Sequence, residues 1–200
     1  YCLHEYSRLT SEGGNVKRSY DMSRRSISAE QTTENIVDAA EKLMATSAMA
    51  DITLAAIASH AGVTVQTVLR HMGSREGCLE AVGRRVETRV QGQRGHTPPG
   101  DATAAVAELV DHYEAEGVLV LNLLGQEQSA PEAAARAVAD GRAFHRAWVV
   151  RCFGPLMPNT RQANVDAVVA ATDIYIWKLI RLDLGRSRAA TEAIINRLVK

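Results

Sequence analysis

Residues 62–77 read GVTVQTVLRHMGSREG, and this stretch decides how the N-terminal part of the chain folds. Glycines stand at Gly62, Gly73 and Gly77, and the polar side chains between them outnumber the bulky apolar ones. Two short helices joined by a glycine-containing turn are the sequence form of a helix-turn-helix. The pattern therefore predicts such a motif, with its turn at residues 61–64.

The second helix of this motif is expected to present polar side chains on one face. Val68 and Met72 lie four residues apart and should pack inward. Glutamine can pair with an adenine edge, threonine can contact a thymine methyl, and arginine suits guanine or phosphate. A DNA-reading helix is one interpretation, and an ordinary small helical domain is the other. The outward residues are Gln66, Thr67, Leu69 and Arg70.

The charge pattern of residues 60–94 favours the DNA interpretation. Arginines outnumber glutamates there, as expected of an electrostatic footprint beside a reading helix. The whole chain has 23 basic and 23 acidic residues, so only a local basic patch is predicted. The arginines are Arg70, Arg75, Arg84, Arg85, Arg89 and Arg94, and the glutamates are Glu76, Glu80 and Glu87.

Composition indicates a cytoplasmic globular protein. Of the 200 residues, 46% are hydrophobic, and the 3 cysteines form no CxxC pair, so neither a disulfide framework nor a zinc site is expected. The longest apolar run, VLVLNLLG at 118–125, is far shorter than the roughly 18–20 residues of a membrane span. Residues 1–14 lack the apolar stretch of a signal peptide.

Helical periodicity recurs along the chain and no stretch alternates convincingly with period two, which predicts an all-α fold of about nine helices. Residues 1–27 lack this period and are expected to form a flexible, mildly basic arm. The first helix should begin after Ser28. The linker GHTPPG at 95–100 is expected to separate a unit at 28–94, which includes a connecting fourth helix, from a second unit at 95–200.

Several helices of the second unit are predicted from their apolar spacing. Two separate helices are expected at about 106–113 and 118–126, and another should open at SAPE, residues 129–132. A long helix at about 160–184 and a final one at 187–200 complete the chain.

Two segments resemble a known family. ITLAAIASHAGVTVQTVLRHMGSREGCLEAV, residues 52–82, is similar to the DNA-binding motif of TetR-type bacterial transcriptional regulators. YIWKLIRLDLGRSRAATEAIINRLV, residues 175–199, resembles the C-terminal end of many such proteins. Leu69 stands where the family often has a phosphate-contacting tyrosine, so no such hydrogen bond is expected there. Met72 replaces the usual phenylalanine.

The resemblance implies roles for individual residues of the motif. Phosphate contacts would come from Thr53, His71 and Arg75. The side chains that would contact bases are Thr64, Val65, Gln66 and Thr67.

The resemblance also implies that the second unit encloses an apolar effector pocket. Phe144 and Trp148 are the main lining candidates, and Tyr113 and Asn122 could add polar contacts. The alternative is that the aromatic residues simply form the core. The full set of candidate effector residues is Tyr113, Asn122, Phe144, Trp148, Cys152 and Tyr175.

Three other features have mainly structural interpretations. His112 and Glu116 have a spacing compatible with a metal, but a solvated helix face is favoured because no third ligand is near. His145 is expected to be exposed or to act as a cap. Cys152 is expected to be a buried, inert thiol, with oxidant sensing as the alternative.

The C-terminal helices are apolar on more than one face, which predicts burial against a partner subunit. A homodimer would also match a palindromic operator. The candidate interface residues are Val168, Val169, Ile176, Ile180, Ile194, Ile195 and Leu198.

Together these features predict a homodimeric repressor that binds double-stranded operator DNA and is released by a small hydrophobic effector. No metal, cofactor or membrane partner is expected. A helical enzyme is an alternative, although no acid, base and nucleophile set or phosphate loop is visible. An effector-independent DNA-binding protein is the other alternative.

Overall fold

The computed structural model describes residues 13–127, 132–157 and 161–200, and the regular structure in these ranges is helical throughout. The prediction of an all-α fold is confirmed. Short 3-10 turns at Met49–Asp51 and Gly154–Leu156 connect longer elements. The α-helices are α1 (Gly13–Thr46), α2 (Leu54–Ala61), α3 (Val65–Met72), α4 (Arg75–Gln93), α5 (Ala102–Gly125), α6 (Glu132–Phe153), α7 (Gln162–Ala171), α8 (Ile174–Lys178) and α9 (Arg188–Leu198).

Local capping explains where the short N-terminal helices begin and end. Thr53 accepts a hydrogen bond from the amide of Ala56 at the start of α2, and Ser74 accepts one from Gly77 at the start of α4. Gly62 ends α2 with a φ of 67°, a left-handed conformation that only glycine adopts without strain. These caps set the two turns on either side of α3.

The start of α1 differs from the sequence prediction. The helix begins at Gly13 and not after Ser28, so the predicted arm is helical over residues 13–27, while residues 1–12 lie outside the described ranges. Ser28 uses its carbonyl to accept a hydrogen bond from the Thr32 hydroxyl within the helix. Residues 13–27 are mostly polar and have no apolar stripe, so hydrophobic periodicity does not indicate a helix there. They also contain no proline, so nothing in this segment prevents a helix from forming.

Two further boundaries were predicted incorrectly. The segments expected at 106–113 and 118–126 form one helix, α5, because Gly117 between them is accommodated within the helix. The single helix expected at 160–184 is broken at Thr172–Asp173, where the Asp173 side chain accepts a hydrogen bond from the amide of Tyr175 and begins α8. A π-helical turn at Leu179–Asp183 continues α8. The start predicted at 129–131 lies outside the described residues.

The helices enclose two apolar cores. The first lies among α1, α2, α3 and α4 and includes Ile36, Ile57 and Val68, all 0% exposed. The second lies among the helices from α5 onward and includes Leu109 and Trp148. Because Leu119 of α5 belongs to the first core, α5 is shared between the two. The N-terminal helices therefore rest directly on the second half of the chain.

The described residues contain neither a membrane-spanning helix nor a metal-binding cluster. No helix there is long and apolar enough to cross a membrane. No group of three or more His, Cys, Asp or Glu side chains there is arranged to hold a metal ion.

Candidate functional site

Helix α3 presents a polar face to solvent. Thr64 caps the helix, and its hydroxyl lies 3.2 Å from the amide nitrogen of Thr67 and 3.0 Å from that residue's hydroxyl. Val65 is 38% exposed, whereas Val68 is completely buried. Of the side chains predicted to face outward, Gln66 and Arg70 are exposed, whereas Thr67 and Leu69 are half-buried. Gln66, Arg70 and the base-contact candidate Val65 are therefore available to a groove of DNA.

Two of the residues expected to contact phosphate flank this face. Thr53 is exposed at the N-terminus of α2, where backbone amides favour an anion. His71 is held by Thr33, whose hydroxyl is 2.9 Å from the His71 Nδ1 and donates to the carbonyl of Ala29. Since that hydroxyl has one hydrogen, Nδ1 is the donor, and Nε2 donates to phosphate only in the imidazolium form. Thr33 could not be identified from the sequence, because it lies 38 positions from His71.

The third expected phosphate contact, Arg75, is turned inward. Its Nε donates to the carbonyl oxygen of Ile52 over 2.5 Å, and its Nη2 donates to the carbonyl oxygen of Met49. Its Nη1 pairs with Glu76 at 3.3 Å. Because the guanidinium satisfies carbonyls between α1 and α2, Arg75 braces that turn. The prediction that it clamps phosphate is therefore not supported.

The basic patch expected from residues 60–94 is smaller than predicted. Arg85 pairs with three carboxylates of α1, and Arg89 joins α1 to α5 by pairing with Glu41 and with Glu116, 2.9 Å from the Arg89 Nε. Periodicity could not reveal these pairs, because their members are far apart in sequence. Arg70 and Arg84 are the arginines of this segment that remain exposed.

Arg94 ends α4 and points into the second core. It is only 4% exposed, and its guanidinium carbon lies 4.2 Å from the ring centroid of Trp148 and 5.4 Å from that of Phe144. Its Nη2 is 2.8 Å from the Nδ1 of His145, whereas its Nε has no hydrogen-bond partner in the described structure. No carboxylate of the described residues forms an ion pair with it. The sequence prediction that Arg94 belongs to a DNA-facing patch was wrong.

His145 is buried, and its contacts determine its tautomer. Arginine can only donate, so the His145 Nδ1 accepts from Arg94 and the Nε2 carries the proton toward the Thr172 hydroxyl, 3.1 Å away. Burial, together with the charge of Arg94, lowers the pKa of His145 to about 3. The ring is therefore neutral, and the expectation of an exposed or capping histidine was wrong.

His112 and Glu116 do not form the solvated face that was expected. Both are buried, at 4% and 6% exposure. The His112 Nδ1 lies 3.1 Å from the Gln93 amide oxygen, while Glu116 pairs with Arg89, so they serve different clusters. Burial, followed by the charge of Arg94, lowers the pKa of His112 to about 3.

A glutamate and a second arginine complete the interior polar cluster. Oε2 of Glu108 accepts hydrogen bonds from the amide and the hydroxyl of Thr97, while its Oε1 has no partner in the described ranges. Arg151 donates to the carbonyl oxygens of Arg94 and Thr97. The cluster thus contains two arginines, one glutamate and two neutral histidines, and one positive charge is uncompensated.

Four of the six candidate effector residues lie in or near this cluster. Trp148 and Phe144 flank Arg94, and Tyr113 donates to the backbone carbonyl of Thr172 over 2.9 Å. Cys152 is fully buried, and burial raises the pKa of its thiol, which favours the inert form over oxidant sensing.

The other two candidates lie elsewhere. Asn122 donates to the carbonyl oxygens of Met44 and Ser47, so it fastens α5 to the end of α1. Tyr175 is 52% exposed and lies at the surface. Both choices rested on residue type alone, which does not indicate which face of a helix is buried.

The predicted interface residues also divide into two groups. Ile195 is 0% exposed and Ile180 is 5% exposed, and both pack in the second core, so the burial of these two is explained within one chain. Leu198 is 53% exposed. The remaining candidates, which are partly buried, are Val168, Val169, Ile176 and Ile194.

Exposed leucines that were not selected from the sequence lie on the same C-terminal segment. Leu179 and Leu182 are each 48% exposed, and Leu184 is 53% exposed. With Leu198 at the end of α9, they are the exposed leucines of the C-terminal elements, and we call this set the C-terminal leucine surface. Their positions on the π-helical turn and beyond it do not follow an α-helical period, so periodicity missed them.

Comparison with known proteins agrees with the N-terminal geometry. Residues 36–82 match the family model described as "Bacterial regulatory proteins, tetR family". This range runs from α1 through α2 and α3 into α4. No curated protein matches the chain closely enough to count as a relative. The chain therefore carries an N-terminal domain similar to that of the tetR family of bacterial regulatory proteins, which supports a DNA-binding transcriptional regulator.

Proposed function

We propose that this protein is a homodimeric transcriptional repressor, acting in the cytoplasm, that leaves its operator when a small molecule binds in the second core. The observation that carries the proposal is the path of α4. The helix is capped by Ser74, directly after α3, and at its other end by Arg94, which lies inside the interior polar cluster. A displacement at one end of a rigid helix is transmitted to the other.

Side-chain contacts connect the two ends of this path to the rest of the molecule. Arg89, in α4, pairs with Glu41 of α1 and with Glu116 of α5. Asn122 of α5 holds the end of α1 through its carbonyls. A ligand that favours one position of α4 or α5 therefore changes the position of α1 and, with it, the spacing of two reading helices in a dimer.

On the DNA side we propose two kinds of contact from the exposed residues. Thr53, Arg70 and, when protonated, His71 contact phosphates. The side chains that contact base edges are Thr64, Val65, Gln66 and Thr67.

For the dimer we propose the C-terminal leucine surface as the contact between subunits. The partly buried side chains of α7, α8 and α9 would lie beside it. Exposed apolar surface of this kind on a globular protein marks an interaction site. The candidates that adjoin it are Val168, Val169, Ile176 and Ile194.

In vitro selection tests this function. The purified full-length chain would be used to enrich a random DNA pool, and the enriched sequences would be checked by gel shift. We expect a palindromic sequence to be enriched, since a two-fold dimer matches two half-sites. Failure to enrich any sequence would contradict the proposal and favour the helical-enzyme alternative.

Two substitutions separate phosphate contacts from base contacts. Arg70→Ala should weaken binding to all sequences and reduce the slope of log K against log salt by about 0.9, the value for one lost phosphate contact. Thr67→Ala should instead change which sequences are enriched. Arg84→Ala is the matched control, because Arg84 is exposed but lies on α4 outside the reading helix. An unchanged salt slope for Arg70→Ala would contradict its phosphate role.

A further inference from the structure

The interior cluster at the end of α4 contains a buried cation without a counter-ion. Arg94 is 4% exposed, and no carboxylate in the described part of the chain pairs with its guanidinium. A buried charge without a partner is strongly unfavourable, so native structures usually pair such a group or keep it for binding. The fold nevertheless places it against the rings of Trp148 and Phe144, 4.2 and 5.4 Å from their centroids.

The surrounding groups do not neutralise Arg94. His145 accepts a hydrogen bond from it as a neutral ring, and His112 is also neutral. Glu108 is the nearby carboxylate, but its Oε2 is held by Thr97. Arg151, which donates to the carbonyl oxygens of Arg94 and Thr97, adds a second cation to the cluster, so the one glutamate offsets only one of two positive charges. The site as a whole therefore favours a ligand with one negative charge.

The orientation of the guanidinium determines which anion fits. The guanidinium carbon lies over the Trp148 ring, 4.2 Å from its centroid, so the ring covers one side of the group while its N–H groups can donate at the edges. The unpaired Nε belongs to the edge that binds a carboxylate with two parallel hydrogen bonds. The Trp148 Nε1 is a second buried donor without a partner in the described structure. Trp148, a member of the second core, and Phe144 provide apolar surface beside the guanidinium.

We propose that the effector is a small organic carboxylate with an apolar body, and that Arg94 binds its carboxylate through the Nε edge. This inference rests on the proposed function, because it assumes that a small effector binds in the second core and names the chemical class of that effector. The apolar body lies against the faces of Trp148 and Phe144, and the Trp148 indole N–H provides a further donor. The ligand supplies the missing counter-charge at the end of α4.

Matched acids and amides test the proposal directly. Benzoate, phenylacetate and octanoate are each compared with the corresponding primary amide, which has nearly the same shape but no charge. Binding to the full-length protein is measured by calorimetry and tryptophan fluorescence, in a buffer free of other carboxylates. We expect at least one acid to bind at least about tenfold more tightly than its amide, the ratio typical of a charge-assisted hydrogen bond.

Substitutions at Arg94 show whether this residue causes the preference. In Arg94→Gln the preference of acid over amide should fall to within about twofold, whereas Arg84→Gln, at an exposed position on the same helix, should retain it. Arg94→Lys keeps the charge without the planar fork and should bind acids with intermediate preference. If circular dichroism shows that Arg94→Gln does not fold, Arg94→Lys provides the test of the acid preference instead.

Each outcome decides the proposal. Equal binding of acid and amide, a preference that persists in Arg94→Gln, or no binding of any of the three acids would overturn it. The gel shift on selected DNA distinguishes these failures from failure of the proposed function. If the protein binds DNA but shows no preference for carboxylates, the proposed regulator function stands and the proposal of an anionic effector is wrong. If the protein binds carboxylates through Arg94 but selects no DNA, the carboxylate site stands and the proposed regulator function is wrong.

Discussion

At the scale of single residues, the arginines differ in what their guanidinium groups contact. Arg70 faces solvent from the reading helix, whereas Arg75 is hydrogen-bonded to backbone carbonyls and Arg94 is buried against aromatic rings. A guanidinium that already satisfies internal acceptors has fewer donors for a ligand. Under the proposed function, the arginines are therefore divided among DNA contact, folding and effector binding.

Arg75→Ala should destabilise the fold. The carbonyl oxygens of Met49 and Ile52 would lose charged donors in a partly buried turn, at a cost of about 1–3 kcal/mol in the free energy of unfolding. Urea denaturation measures this cost. Arg84→Ala, which breaks only a surface pair with Glu80, should change the value by less than about 0.5 kcal/mol. Equal effects of the two substitutions would argue against the bracing role of Arg75.

His112 and His145 should make stability fall in mild acid. Each has a pKa lowered to about 3, from 6.5, because burial and then the charge of Arg94 disfavour the imidazolium form. Below about pH 6.5 the unfolded chain binds protons at both sites and the folded chain does not. The contribution of these two histidines to the free energy of unfolding is therefore largest above that pH and decreases toward pH 3. The decrease is at most about 2.7 kcal/mol per pH unit for the two histidines together.

Urea denaturation at pH 7.5, 6.5 and 5.5 checks this dependence. His145→Gln removes one of the two sites and should reduce the slope contributed by the pair by about half. Glu116 acts in the opposite sense, because burial raises the pKa of its carboxyl group, so its contribution increases as the pH falls. An identical slope in the wild type and in His145→Gln would mean that His145 is not held neutral by the fold.

At the scale of helices, α5 depends on close contact with α8. A Cβ atom added to Gly117 would lie 2.7 Å from the Cζ3 and 2.8 Å from the Cη2 of Trp177, distances that real Cβ atoms do not adopt. Trp177 is only 2% exposed and has little room to move. The helix pair therefore requires glycine at this position, in the middle of α5.

Gly117→Ala should lower the free energy of unfolding by about 1–3 kcal/mol, because the ring must shift within a packed core. Gly83→Ala is the matched control in α4, where nothing lies within 4 Å of the added Cβ. Alanine is the better helix former, so that control should raise stability by roughly 0.5–1 kcal/mol. Thermal or urea denaturation of both variants measures the difference in sign, and a Gly117→Ala protein as stable as the control would contradict the close contact.

At the scale of the whole molecule, α4 and α5 join two cores that would otherwise be separate. Leu119 of α5 packs in the first core, and the guanidinium of Arg89 pairs with carboxylates on both α1 and α5. The DNA-facing helices and the Arg94 cluster are therefore coupled through packed side chains and ion pairs. This coupling is what an effector-dependent regulator requires.

Leu182→Glu should weaken or abolish the proposed dimer by placing a charge on the C-terminal leucine surface. Analytical ultracentrifugation should show a shift from dimer toward monomer, and binding to a palindromic site should weaken because its half-sites are no longer joined. Ile27→Glu, at a 62% exposed position on α1, is the control and should leave the oligomeric state unchanged. If Leu182→Glu sediments like the wild type, the surface is not the dimer interface.

The sequence by itself determined the features that depend on neighbours a few residues apart. The caps at Thr53, Thr64 and Ser74 act over three residues, and the apolar stripe of α1 follows the helical period, so the all-α fold and the helix-turn-helix could be predicted. The contacts of Thr172 at the break between α7 and α8 could not be predicted, since its partners Tyr113 and His145 are distant in sequence.

Only the tertiary structure decided what the charged residues do. Arg75 meets a carbonyl 23 positions away, and Arg94 meets His145 across 51 positions. Composition places all the arginines of this segment in one basic patch, but packing exposes Arg70 and buries Arg94. The physical reason is that a charge acts through the partners and the dielectric around it, and both are set by residues that are distant in sequence.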